Sequence, residues 1–188
     1  MVSQRSEELV RGKLQGPAMS SAARNPILIG MPAAGKSTVG VLLAKKLGVP
    51  FVDTDILIQT GEGCLLQEII AEHGIVGFRA IEENHLLQVP PDCGVVATGG
   101  SAVYSQKAMG HLRSLGPVVY LYIGLAALKE RLGSLDERGV LRTPGQTIDR
   151  LYAERSPLYE KYANITVSTG DVTPDQVVRA VLERLRMV

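Results

Sequence analysis

From Asn25 onward, short runs of aliphatic and β-branched residues alternate with longer stretches in which apolar positions recur every three or four residues. The runs predict strands at Pro26 to Gly30, Phe51 to Thr54, Gly94 to Thr98, Val118 to Ile123 and Ile165 to Ser168. The periodic stretches predict helices at Lys36 to Leu47, Leu65 to His73, Phe78 to Leu87, Gln106 to Leu115, Leu125 to Leu132, Thr147 to Tyr162 and Pro174 to Arg186. Strands apolar on both faces, with helices between them, specify an α/β fold: a five-stranded parallel sheet covered by helices on both sides. Ligands in such folds bind beyond the carboxyl ends of the strands, so the residues that follow each strand carry the functional information. Residues 1–24 lack this periodicity and are expected to form a flexible tail, leaving 25–188 as one domain. Within it, Gly133 to Gln146 sets Gly133, Gly139, Pro144 and Gly145 among charges and is expected to be a mobile lid.

Charge narrows the possible partners. The 188 residues hold 20 Lys+Arg against 19 Asp+Glu, a net charge of +1. That balance argues against the broad basic field needed to coat nucleic acid or an anionic membrane. An anionic ligand must then be held by locally placed donors. Cys64 and Cys93 stand far apart with no metal-ligand spacing around them, as suits a reducing compartment. The longest uncharged stretch, Ser114 to Leu128, is broken by Gly116, Pro117 and Gly124 and is too short to span a bilayer. Charges at Arg5, Glu7, Glu8, Arg11 and Lys13 interrupt any apolar signal core. A cytoplasmic monomer is expected, with no nucleic-acid or membrane partner.

Directly after the first strand stands Gly30-Met31-Pro32-Ala33-Ala34-Gly35-Lys36-Ser37, which satisfies the Walker A pattern. Such a loop turns backbone N–H groups of residues such as Ala33, Ala34, Gly35 and Thr38 around phosphate oxygens at a helix N-terminus. Lys36 then reaches the outer phosphates and the Ser37 hydroxyl takes Mg²⁺, so ATP and Mg²⁺ are the expected cofactors. The second strand ends in Asp53-Thr54-Asp55, two carboxylates that strand alternation would aim at one crevice. One can anchor a metal-bound water while the other orients or deprotonates an incoming hydroxyl; equally, an Asp there can simply cap a helix.

Together with Gly77-Phe78-Arg79-Ala80-Ile81-Glu82, Thr98-Gly99-Gly100 and Arg155-Ser156-Pro157-Leu158-Tyr159, this ordered set resembles the shikimate kinase family from about Pro26 to the C-terminus. The resemblance implies a three-layer P-loop kinase fold and phosphoryl transfer from MgATP to the 3-hydroxyl of shikimate. It assigns Asp53, with Ser37, to the Mg²⁺ shell and Asp55 to the substrate hydroxyls as proposed base. Arg79 and Arg155 inherit the shikimate carboxylate, a role a guanidinium fork suits and an ammonium does not. Gly99, Gly100 and Ser101 fall where the family's glycine motif places substrate, although the family commonly has a third glycine in place of Ser101. That serine either donates an extra hydrogen bond or signals a different acceptor. Arg138, in Arg138-Gly139-Val140-Leu141, matches the lid arginine that closes over the transferring phosphate. Gly139 stands where the family usually has proline, and Arg142 is a second candidate. Arg131 and the loop Thr169 to Pro174 match positions flanking the adenine.

Two other readings compete with shikimate phosphorylation. Another small hydroxylated carboxylate could be the acceptor, as Ser101 and Gly139 suggest. Alternatively the chain could be a nucleotide-binding switch with no small acceptor, which would leave Arg79 without a task.

Overall fold

A computed structural model of the chain describes residues 25–132 and 145–187. The sheet has five strands, all parallel: β1 (Ile27–Ile29), β2 (Phe51–Asp53), β3 (Val95–Ala97), β4 (Val118–Tyr122) and β5 (Ile165–Ser168), in the order β2-β3-β1-β4-β5. Every residue of β1 and β3 and the first four of β4 are buried, because the sheet is flanked by helices; this explains their unbroken apolar runs. The helices are α1 (Lys36–Leu47), α2 (Thr54–Glu62), α3 (Leu66–Leu87), α4 (Gln106–Leu115), α5 (Leu125–Leu132), α6 (Ile148–Tyr162) and α7 (Pro174–Leu185). α1 packs against α7, and α3 against α4. No helix among the described residues is long and apolar enough to cross a membrane.

Strand β1 lies at the centre with β3 on one side and β4 on the other; the chain runs from β1 to β2 on one side and later crosses from β3 to β4 on the other, which opens a crevice at the carboxyl end of β1. The loop into α1 sits at that switch point. Gly35 caps α1 in the left-handed region at φ 91°, a conformation that costs glycine nothing.

The sequence periodicity matches most elements closely, with three differences. The two helices expected at Leu65 to His73 and Phe78 to Leu87 run together as α3, broken at Gly74, whose backbone is non-helical at φ 65°. Helix α2 is not among the helices expected from periodicity, but it realises the capping reading of the aspartate: Asp53 supplies its N-cap by accepting from the Asp55 backbone N–H at 3.0 Å. A short 3₁₀ turn, Ala102–Tyr104, also follows the Gly99-Gly100-Ser101 segment. The expected tail at 1–24, and Arg138, Gly139 and Arg142 of the expected lid, lie outside the described residues.

Candidate active site

The phosphate loop, the start of α2, the Gly99-Gly100-Ser101 segment and α6 converge on a cavity of about 270 Å³. At one end Pro32, Ala33, Gly35, Lys36, Ser37 and Thr38 line it. Ala33 sits in the left-handed region at φ 61°, uncommon for a residue with a Cβ, and an instance of backbone strain at a ligand-binding turn. Lys36 is buried and donates from Nζ to the Gly30 and Met31 carbonyls, both at 2.9 Å, so the ammonium is folded back onto its own loop. Burial pulls it down to about 8, with the nearby Asp55 carboxylate opposing and Arg155 adding to the fall.

Ser37 and Asp53 meet at the mouth of this cradle, the hydroxyl donating to Asp53 Oδ2 at 2.6 Å. Two hard oxygen donors beside a phosphate loop match what Mg²⁺ takes from a protein, so the residues fit the ion expected there. The geometry corrects one step of the sequence reading. Asp53 and Asp55 do not converge by strand alternation, because β2 ends at Asp53 and Asp55 lies in the first turn of α2. Asp53 caps that helix through one oxygen and accepts from Ser37 through the other. Asp55 faces the cavity, where burial raises its carboxyl and Lys36 opposes the rise.

Phe78, Thr98, Gly99, Gly100, Ser101 and Arg155 also line the cavity. Arg155 is 1% exposed, an unusual position for a guanidinium, and projects from α6 beside Gly100: a Cβ there would lie 3.0 Å from its Nη1. Tyr159, one turn on, donates to the Gly100 carbonyl at 2.7 Å and holds the glycine segment against α6. Arg79 does not line the cavity. Its guanidinium carbon stacks 3.8 Å from the centroid of the Tyr104 ring, and its Nε is buried without a hydrogen bond. Among the described residues Arg79 makes no ion pair with Glu82 or Glu83, its neighbours one turn on.

Ser101 is buried and donates to Glu82 Oε1 at 2.9 Å, so its hydroxyl makes the extra hydrogen bond to the protein itself. Glu82 is 2% exposed, and burial pushes its carboxyl up to about 7 against the Ser101 bond and the two arginines. No role was assigned to Glu82 from sequence. Its signal was there: Phe78, Glu82 and Leu86 recur every four residues on the buried face of α3, and a carboxylate on such a stripe needs a partner. Tyr104, Glu154 and Tyr159 were missed as well, because only contacts across the fold make them informative.

Arg131 approaches neither end of the cavity. It donates to the Thr169 and Gly170 carbonyls, tying α5 to the loop between β5 and α7. The two adenine-flanking expectations thus meet in one place.

The shikimate kinase family model matches residues 32–186. A shikimate kinase of Sulfurihydrogenibium sp. is 34% identical over 164 residues, covering 87% of this chain and 98% of the relative. One from Pseudomonas syringae pv. tomato is 39% identical over 165 residues, with 86% and 96% covered. Among solved structures, the shikimate kinase from Acinetobacter baumannii in complex with shikimate superposes with a TM-score of 0.79 at 32% identity, covering 86% of this chain and 92% of that one. The enzyme from Aquifex aeolicus gives 0.74 at 34% identity, covering 86% and 95%.

Proposed function

The chain belongs to the shikimate kinase family, and from that premise we propose how its own residues carry ATP-dependent phosphorylation of shikimate at the 3-hydroxyl, giving shikimate 3-phosphate and ADP. The observation that carries the assignment is one cavity lined both by a phosphate cradle and by a buried arginine beside a glycine segment. Phosphoryl transfer needs positioning and charge neutralisation more than covalent catalysis, and the cavity is built for both.

Lys36 leaves its loop carbonyls for the outer phosphates of ATP, while backbone N–H groups from Ala33 to Thr38 cradle the rest. Ser37 and Asp53 would hold Mg²⁺, which would neutralise phosphate charge. Arg155, with Arg79, takes the acceptor's carboxylate, and Gly99 and Gly100 leave room for its ring. Asp55 accepts the proton of the attacking hydroxyl as that oxygen bonds to the γ-phosphorus and the bond to the bridging oxygen of ADP breaks. The raised Asp55 carboxyl makes it a better base than an exposed aspartate. Arg131 organises the adenine end through the Thr169 and Gly170 carbonyls, and Arg138 serves as the lid arginine. A cytoplasmic monomer is the state this reading expects.

A kinase for another hydroxy acid gains no support from Ser101, whose hydroxyl is engaged by Glu82. Steady-state ADP release with shikimate beside a panel of hydroxy acids and nucleoside monophosphates tests the assignment. Turnover should depend on shikimate, and its absence sinks the reading.

A further inference from the structure

Tyr104, the last residue of the 3₁₀ turn, touches both arginines of the acceptor end. Arg79 Cζ lies 3.8 Å from its ring centroid and Arg155 Cζ 5.3 Å, and Arg155 Nε also donates to the Tyr104 hydroxyl at 3.2 Å. That hydroxyl donates onward to Glu154 Oε1 at 2.5 Å, and the other Glu154 oxygen accepts from Gln146 Nε2 at 2.7 Å. Two guanidinium groups held close together repel each other, whereas an aromatic face attracts both. Arg79 Nε makes no hydrogen bond, so the stack on Tyr104 is what orients its plane. A planar donor fork grips a carboxylate well only in a defined plane. Of these three residues only Arg155 lines the cavity, so Tyr104 reaches the acceptor through its contact with Arg155 and through the Arg79 guanidinium stacked on its ring.

We propose that Tyr104 is a positioning residue that sets the planes of Arg79 and Arg155 for the acceptor's carboxylate, its own hydroxyl held by Glu154. The inference rests on the assignment of these arginines to that carboxylate. It predicts a defect specific to charged acceptors, which a residue needed only for packing would not produce.

The test is steady-state kinetics of the full chain with shikimate and with its uncharged carboxamide. Tyr104→Leu removes both cation–π contacts and the hydrogen bond from Arg155, and should raise KM for shikimate about tenfold. KM for ATP, and kcat/KM for the carboxamide, should stay within about twofold. Tyr104→Phe keeps the ring and should give an intermediate rise, about threefold. Equal losses on acid and amide make Tyr104 a packing residue and overturn the proposal, as does an unchanged shikimate KM in both variants. If the leucine variant does not fold, the phenylalanine variant decides alone by the same criterion. Arg79→Ala separates the premises. An unchanged shikimate KM there defeats the carboxylate assignment itself, whereas a raised one beside unaffected Tyr104 variants defeats only the positioning role.

Discussion

Asp55 and Glu82 bring their carboxylates to one point from two different helices: a Cβ placed on Gly99 would lie 2.6 Å from Asp55 Oδ1 and 2.7 Å from Glu82 Oε1. The absent side chain at Gly99 is therefore what lets both carboxylates approach the same point. Gly99→Ala should push them apart, and a misplacement of about 1 Å can cost on the order of 100-fold in rate. Circular dichroism and thermal melts should show a folded protein while turnover with shikimate drops at least tenfold.

Asp55→Asn removes the group assigned as base but leaves the phosphate loop intact. The expected loss in kcat is about 10²- to 10⁴-fold, with KM for ATP little changed. A kcat within a few-fold of the parent chain would mean that the acceptor's proton goes elsewhere.

Glu82 makes stability depend on pH with a definite sign. Its folded value near 7 lies above the ordinary 4.5, so between these limits the folded chain binds more protons than the unfolded one and stability falls as pH rises. Glu82→Gln, still able to accept from Ser101, should flatten urea-denaturation stability between about pH 5 and pH 8. An unchanged slope in that variant would place the proton uptake on another group.

Ser101→Gly tests the same pair from the other side. The hydroxyl bonds a buried carboxylate, and an unmet buried acceptor costs about 1–3 kcal/mol, more when charged. The loss of stability should therefore be larger at pH 8, where Glu82 is ionised, than at pH 5. A loss of equal size at both values would show that the hydrogen bond does not discriminate between the two forms.

Lys36 governs the alkaline side of nucleotide use. With burial drawing its ammonium down to about 8, kcat/KM for ATP should decline as pH rises through that value, because this ratio reports the free enzyme. Lys36→Met should be slow and show no such limb. A parent profile flat to pH 9.5 would contradict the buried, depressed lysine.

Much of the fold could be read before any tertiary contact was known, but for a local reason in each case. The apolar runs of β1, β3 and β4 identify buried parallel strands because neither face of the strand meets water. The spacing from Gly30 to Ser37 identifies the phosphate loop because its chemistry lies within eight consecutive residues. Helix α2 spans only nine residues directly after β2, and its start is set by the cap from Asp53.

The sequence by itself therefore determined the α/β architecture and the phosphate-loop motif, since periodicity and motif spacing are properties of neighbouring residues. Only the tertiary structure decided how the site residues share one cavity. Ser101 bonds Glu82 across 19 positions, and Arg155 reaches Tyr104 across 51. Separations of that length are closed by the order in which parallel strands pair, and burial then converts an ordinary glutamate, lysine and tyrosine into a raised acid, a depressed base and a brace between two arginines.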